Sequence, residues 1–354
     1  MGLISLQWVI VGYTLAFGPS IGGFVGGLSN IGLNGVSMEA TSGTIPDLLF
    51  AAFQMTFAVI TPALITGAFV ERINFKAFIL FTLAWATLVY DPVAHWVWAE
   101  GGILYEMGAL DFAGGTVVHI TAGYSALTFA MMIRSRRDFK SSPIHPHNIP
   151  YTVLGAGLLW VGWFGFNGGS ALAADGIAVA AIVNTNTAAA AAAVVWMFLA
   201  WRENKPSVLG IVTGAVVGLV AITPAAGFVT PLASIAIGAI AAPISYYTIQ
   251  FIHDRGLDES LDVFACHGIA GTWGALATGL FASPAVNEAG AGLFYGNAGQ
   301  FGIQLLSVVL SIVYAMVLTF VILTVIKQLV GLSVTDQEEM VGLDISQHGE
   351  QAYS

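Results

Sequence analysis

DFAGGTVVHITAGYSAL (Asp111–Leu127) and DVFACHGIAGTWGAL (Asp262–Leu276) decide the reading of this chain. Each sets one histidine, His119 or His267, in an apolar, glycine-rich stretch, and each histidine opens the same pattern, His-x-x-Ala-Gly. An imidazole placed in hydrocarbon is costly, so it faces a protein interior or a pathway. Two of them in matching contexts point to a conduit with internal pseudo-symmetry.

The rest of the chain supplies the hydrocarbon setting. Of its 354 residues, 57% are hydrophobic and only 8% charged, with a mean hydropathy of +0.83. That apolar surface exceeds what one soluble core can hide, so the chain reads as an all-α polytopic membrane protein. Its single cysteine, Cys266, excludes an internal disulfide framework and reads as a small buried residue. The opening MGLISLQWVIVGYTLAFGPS has neither a basic n-region nor a small-residue cleavage site, so it reads as a span. Much of the formal charge of −10 lies in Asp336, Glu338, Glu339, Asp344 and Glu350 of the tail, which argues against nucleic acid as a partner.

Runs of about 20 apolar residues, enough to cross roughly 30 Å of hydrocarbon, predict ten helices near 3–18, 47–70, 77–98, 112–133, 150–168, 177–201, 208–224, 232–252, 263–282 and 300–326. Every basic residue then falls in alternate loops: Arg72 and Lys76; Arg134, Arg136, Arg137 and Lys140; Arg202 and Lys205; Arg255; and Lys327. By the positive-inside rule these loops and the C-terminal tail are cytoplasmic. Residues 1–326 form the transmembrane domain and 327–354 a cytoplasmic tail of a multi-pass protein of the cell membrane. His119 lies on a span running inward and His267 on one running outward, which fits an inverted repeat. Abundant glycine and alanine, as in TNTAAAAAAVVW (Thr185–Trp196), let helices approach closely.

Three chemistries suit the histidine pair. As metal ligands they need a third Cys, His or carboxylate, and only Cys266 and distant aspartates offer themselves. As structural groups they need only satisfied nitrogens. As a pore-lining pair in a dry lumen they stay uncharged and offer lone pairs and N–H groups to a small neutral solute. Trp96, Trp98, Trp160, Trp163, Phe164 and Phe166 sit near the outer ends of spans, where most belong to an interfacial aromatic belt. One or two of them could tip inward to hold a cation against a ring face. Asp111 is placed to cap the fourth span. His145 and His147 belong to a solvated turn. No nucleotide-binding, hydrolase or zinc-protease motif is present, and a buried His/Cys pair lacks a nucleophile, base and orienter set, so an enzyme is not expected.

LDFAGGTVVH (Leu110–His119), GWFGFNGGSA (Gly162–Ala171), AFQMTFA (Ala52–Ala58), DVFACHG (Asp262–Gly268) and VGLDISQHGEQAY (Val341–Tyr353) together resemble the ammonium transporter family, Amt, relatives of the Rhesus proteins. The likeness runs collinearly through the whole chain. It implies an eleven-helix protomer in a homotrimer, each protomer with its own apolar pore and with no cofactor or metal. It further implies an outer ammonium site of Trp98, Phe57 and Ser170, a gate of Phe57 stacked on Phe166, paired pore imidazoles at His119 and His267, and a chiefly structural Asp111. Trp98 favours the ammonium-transporter branch over the Rhesus branch. WVIVGYTLAFG (Trp8–Gly18) resembles the second family helix, so the first is expected to be absent and ten spans to remain. The resemblance also implies a P-II-type nitrogen regulator as a possible partner of the cytoplasmic tail. Two alternatives to transport are an ammonium sensor acting through such a partner and a passive gas channel of Rhesus type.

Overall fold

Helices occupy all ten predicted stretches in a computed structural model of the chain, which describes residues 1–142, 144–203 and 205–353. They are α1 (Gly2–Phe17), α2 (Asp47–Ala68), α3 (75–98), α4 (115–132), α5 (Ile149–Gly169), α6 (Gly176–Glu203), α7 (Val208–Ile222), α8 (Pro231–Arg255), α9 (264–281) and α10 (Ala298–Val330). Two short helices, α11 (Asp336–Val341) and α12 (Leu343–His348), follow in the tail. Among the described residues, six helices are long and apolar enough to cross a membrane by length and composition: α2, α3 with the turn after it, α5, α6, α8 and α10.

Local chemistry sets most helix starts. Side chains of Asn74, Asn148, Ser207, Thr230 and Asn297 each accept a backbone N–H from the first turn that follows. Thr335 and Glu338 form a reciprocal capping box on α11. Most boundaries shift from the predicted ones by one to four residues, and two of the shifts have a visible local cause. α4 begins at Gly115 instead of 112 because Asp111 folds back to cap it, and α10 runs past Lys327 to Val330, where Gly331 at φ +73° stops it.

Alternate connections gather at opposite ends of the bundle. At one end Phe112 N donates to Pro224 O (3.1 Å), Thr44 N to Leu172 O (3.1 Å) and Ser283 N to Phe228 O (2.8 Å). At the other, Leu261 N donates to Gly67 O (3.0 Å) and Val334 N to Arg72 O (3.0 Å), joining the basic connections to the tail. The acidic tail is tied down there: Arg134 pairs with Glu339, and the Arg137 amide donates to Glu339 Oε1 at 2.8 Å.

α4 and α9 run through the middle, with α7 against them. Polar groups inside the bundle mostly find partners, as burial away from water demands: Trp85 Nε1 donates to Ser125 Oγ (2.9 Å) and Thr319 Oγ1 (3.1 Å), and Asn184 Nδ2 to the carbonyls of Ala226 and Val229 (2.9 and 2.7 Å).

Arg72, which the sequence offers only as a loop charge marking the inner side, is fully buried. Its guanidinium donates to the carbonyls of Ala68 (2.8 Å) and Asp258 (2.6 Å) and faces the Asp258 carboxylate at 3.4 Å. Asp258 also receives Arg136 through Nη2 at 2.6 Å and through its backbone N–H at 2.7 Å. Burial raises Asp258 towards its neutral form. The bonds from Arg136 and the charges of Arg72 and Arg136 outweigh it and hold the carboxyl below its ordinary range.

Removing one partner of a buried pair strands the other charge. Asp258→Asn should therefore lower stability by about 3–5 kcal/mol, read as a reduced midpoint of thermal unfolding in detergent. Because the folded carboxyl lies below its unfolded value, its contribution is present above the ordinary carboxylate range. It should disappear as pH falls through the depressed one.

Candidate functional site

α2, α3 and α5 converge beneath one end of the bundle on a recess of about 120 Å³ lined by Phe17, Phe50, Gln54, Phe57, Trp98, Phe112, Ser170 and Leu172. Space of that size suits an ion or a few waters. Trp98, Phe57 and Ser170, far apart in the chain, thus share one cavity. Trp98 is fixed by donating Nε1–H to the Asp111 carbonyl (2.8 Å), and its ring meets Phe57 edge-on at 5.6 Å. Ser170 Oγ donates to Phe166 O at 2.9 Å, so its lone pairs remain for a donor in the recess. Phe57 and Phe166 lie ring against ring, centroids 4.4 Å apart.

Behind these rings lies the histidine pair. His119 stacks near Phe166 (6.1 Å, 20° between planes) and Trp163 (5.5 Å, 19°), and its Nδ1 meets Nδ1 of His267 at 3.2 Å. One ring nitrogen donates across that contact and the other accepts. Nε2 of His119 is buried without a partner. Both side chains are at most 9% exposed, so the pair stands in a nearly dry interior.

The shared His-x-x-Ala-Gly pattern has a steric cause. The glycine four residues after each histidine lies where the opposite helix crosses. A Cβ on Gly123 would overlap the Gly268 backbone beside His267, and a Cβ on Gly271 would stand 3.0 Å from both His119 Cβ and Gly115 O. Each histidine also sits in a widened π turn, Gly115–Ile120 or Phe264–Ile269. Such turns recur at functional sites because they re-aim a side chain and free backbone groups.

Asp111 does not line the recess. Its carboxylate accepts the amides of Gly114 (2.9 Å), Gly115 (2.6 Å), Thr116 (2.9 Å) and Val117 (3.0 Å), which satisfies the first turn of α4. Gly114, at φ +109°, makes that tight return possible. His145 and His147 are exposed and do not line the recess.

The family model described as "Ammonium Transporter Family" matches residues 1–353. The chain belongs to the ammonium transporter family. It is 51% identical to an ammonium transporter of Bacillus subtilis over 100% of this chain and 88% of that protein. Among solved structures, Mep2 of Saccharomyces cerevisiae superposes with a TM-score of 0.90 at 33% identity, covering 94% of this chain and 78% of that one. A structure described as "Sensor Amt Protein" gives 0.90 at 32% identity, covering 98% and 87%. The family is one of multi-pass membrane transporters, not enzymes.

Sequence reasoning passes over three features of this ammonium transporter. Trp163, grouped with the belt, is buried against His119. Asp91, inside the predicted span 77–98, is fully buried and accepts Gln7 Nε2 at 2.7 Å, with π turns at Trp8–Gly12 and Ala86–Tyr90 beside the pair. An acid within an apolar run was the available signal, but its partner lies 84 residues away. Glu259, buried at the start of α9, is the third.

Gly123→Ala should force α4 and α9 apart. The overpacking is expected to cost about 1–3 kcal/mol and to lengthen the His119–His267 contact. Thermal unfolding reads the first, and a structure of the variant reads the second.

Proposed function

We propose that this ammonium transporter recruits ammonium in the recess of Trp98, Phe57 and Ser170, removes a proton there, and conducts ammonia past the Phe57–Phe166 gate and along His119 and His267. The observation that carries this reading is the continuous column from Trp98 through the closely packed, tilted rings of Phe57 and Phe166 to two imidazoles in contact. Ammonium entering an apolar tube intact would lose its hydration with little in return. Splitting it into ammonia and a proton avoids most of that cost and rejects potassium, which has no proton to give. The imidazoles relay the proton, so net charge crosses. Asp111 supports the outer site by holding the start of α4 and presenting the carbonyl that orients Trp98.

The ten helices are read as ten spans, with residues 1–326 as the transporter domain and 327–354 as a cytoplasmic tail. Supporting this, the loops bearing Arg72, Arg136 and the tail converge at one end of the bundle. The matched His-x-x-Ala-Gly glycines and π turns support an inverted repeat. Broad apolar faces, such as Leu154, Leu158 and Val161 on α5, call for lipid or further copies of the chain, in keeping with a homotrimer.

A second reading, an ammonium sensor with a P-II-type partner at the tail, is favoured by the likeness to the sensor relative. Deleting 341–354 should then abolish signalling while sparing uptake, whereas joint loss would indicate coupling between tail and pore.

Solid-supported-membrane recording on proteoliposomes tests the transport reading. An ammonium jump should give a current and an equal potassium jump none. Trp98→Ala should raise the half-saturating ammonium concentration roughly 2- to 30-fold, the equivalent of a cation–π contact of about 0.5–2 kcal/mol. Equal currents for both ions, or an unchanged half-saturation in the variant, would refute it.

A further inference from the structure

Among the described residues six amide side chains are buried, and five of them are bonded to the chain. Gln7 donates to Asp91, Asn167 to Thr185, Asn184 to Ala226 and Val229, and Gln300 and Gln304 to the carbonyls of Gly108 and Leu110. Gln54 is the exception. It is only 8% exposed, its side chain makes no hydrogen bond among the described residues, and its Oε1 is wholly buried without a partner. It also lines the recess that holds Trp98, Phe57 and Ser170. We propose that Gln54 is a further substrate ligand of that recess, an acceptor that takes one N–H of ammonium while Ser170 takes another. This rests on the recess reading above and adds to it a second hydrogen-bonding group.

Helix geometry puts the amide in place. Gln54 stands one turn before Phe57 on α2, so the two side chains share a face of the helix. Its neighbour Phe53 presses on the backbone of α5: a Cβ on Gly169 would stand 2.9 Å from the Phe53 ring. That contact holds the end of α5, with Ser170, against the same turn of α2.

The chemistry of the wall decides what the amide meets. Its two nearest side-chain donors are already used, the Trp98 Nε1–H by the Asp111 carbonyl and the Ser170 hydroxyl by Phe166 O. Facing the recess are aromatic rings, the Ser170 lone pairs and the Gln54 amide. The two ends of an amide exchange places by a half-turn about its last torsion, so either can be presented. Ring faces and lone pairs attract a cation, and the oxygen is the end that a cation draws in. Ammonium brings four directed N–H groups: two meet the oxygens of Gln54 and Ser170, and the others meet ring faces. A potassium ion sheds its water only for a full ring of oxygens, which two acceptors do not supply. Gln54 therefore serves selectivity as well as affinity.

The test records ammonium-jump currents from the full chain in proteoliposomes over a series of ammonium concentrations. Gln54→Leu, close to glutamine in volume, should raise the half-saturating concentration roughly 10- to 100-fold, as expected for loss of a hydrogen bond to a charged group. Gln54→Glu keeps an acceptor oxygen in either protonation state and should bring half-saturation back towards wild type. A glutamine that merely fills space would give the opposite order, with leucine tolerated and glutamate disruptive. That order, or an unchanged half-saturation in Gln54→Leu, overturns the proposal and leaves the amide to water alone. A structure of the wild-type protein in ammonium gives a reading that does not depend on any variant's assembly. A density peak that is absent without ammonium should lie about 2.7–3.2 Å from the Gln54 amide; a peak held by the rings beyond that reach overturns the proposal. Trp98→Ala separates the two levels. A raised half-saturation in Trp98→Ala with none in Gln54→Leu defeats only the part given to Gln54, whereas no change in either defeats the recess reading itself.

Discussion

Contact between two helix backbones, α4 at Gly123 and α9 at Gly268 and Gly271, sets the distance between the histidines. Small residues are the means by which helices pack closely where hydrophobic driving force is absent. Here they do more than pack. Because each glycine lies one helical turn beyond its own histidine, the crossing that they permit brings Nδ1 to Nδ1 at 3.2 Å. A wider crossing would leave two isolated imidazoles in an apolar interior, each with unsatisfied nitrogens. The π turns at both histidines adjust the rings within that fixed spacing.

Polar groups elsewhere follow from the same setting. In a low-dielectric interior a charge is tolerated only where it is paired or closely hydrogen-bonded. Asp111 meets that demand through four amides, and Arg72 through Asp258 and two carbonyls. Both acids that bind the helix starts, Asp111 and Glu259, lie at the ends of the histidine-bearing helices rather than midway. The middle of the column is left to aromatic rings and imidazoles. That division suits a path that admits a neutral molecule and moves a proton by relay.

Helix placement was legible because apolar run length is a local property, and all ten predicted stretches are helical. Asp111 as a cap was legible for the same reason, since its partners are three to six residues away. The meeting of Trp98, Phe57 and Ser170 came from family resemblance and not from spacing. What escaped the sequence was long-range pairing. Arg72 reads as a solvated loop charge until Asp258, 186 residues on, closes over it. Asp91 looks anomalous until Gln7 arrives from another helix. Trp163 shares its position with belt tryptophans and is distinguished only by the side of α5 that faces His119. Periodicity could not separate these cases, because every face of such a helix is apolar.

The central claim is that the paired imidazoles carry the selective flux. The most direct measurement compares ammonium-jump and potassium-jump currents in proteoliposomes for wild type and for the His119→Ala/His267→Ala variant, with intact assembly verified in parallel. The account predicts that the variant loses ammonium-specific current, either falling silent or passing both ions alike. An unchanged current with unchanged selectivity for ammonium would contradict it.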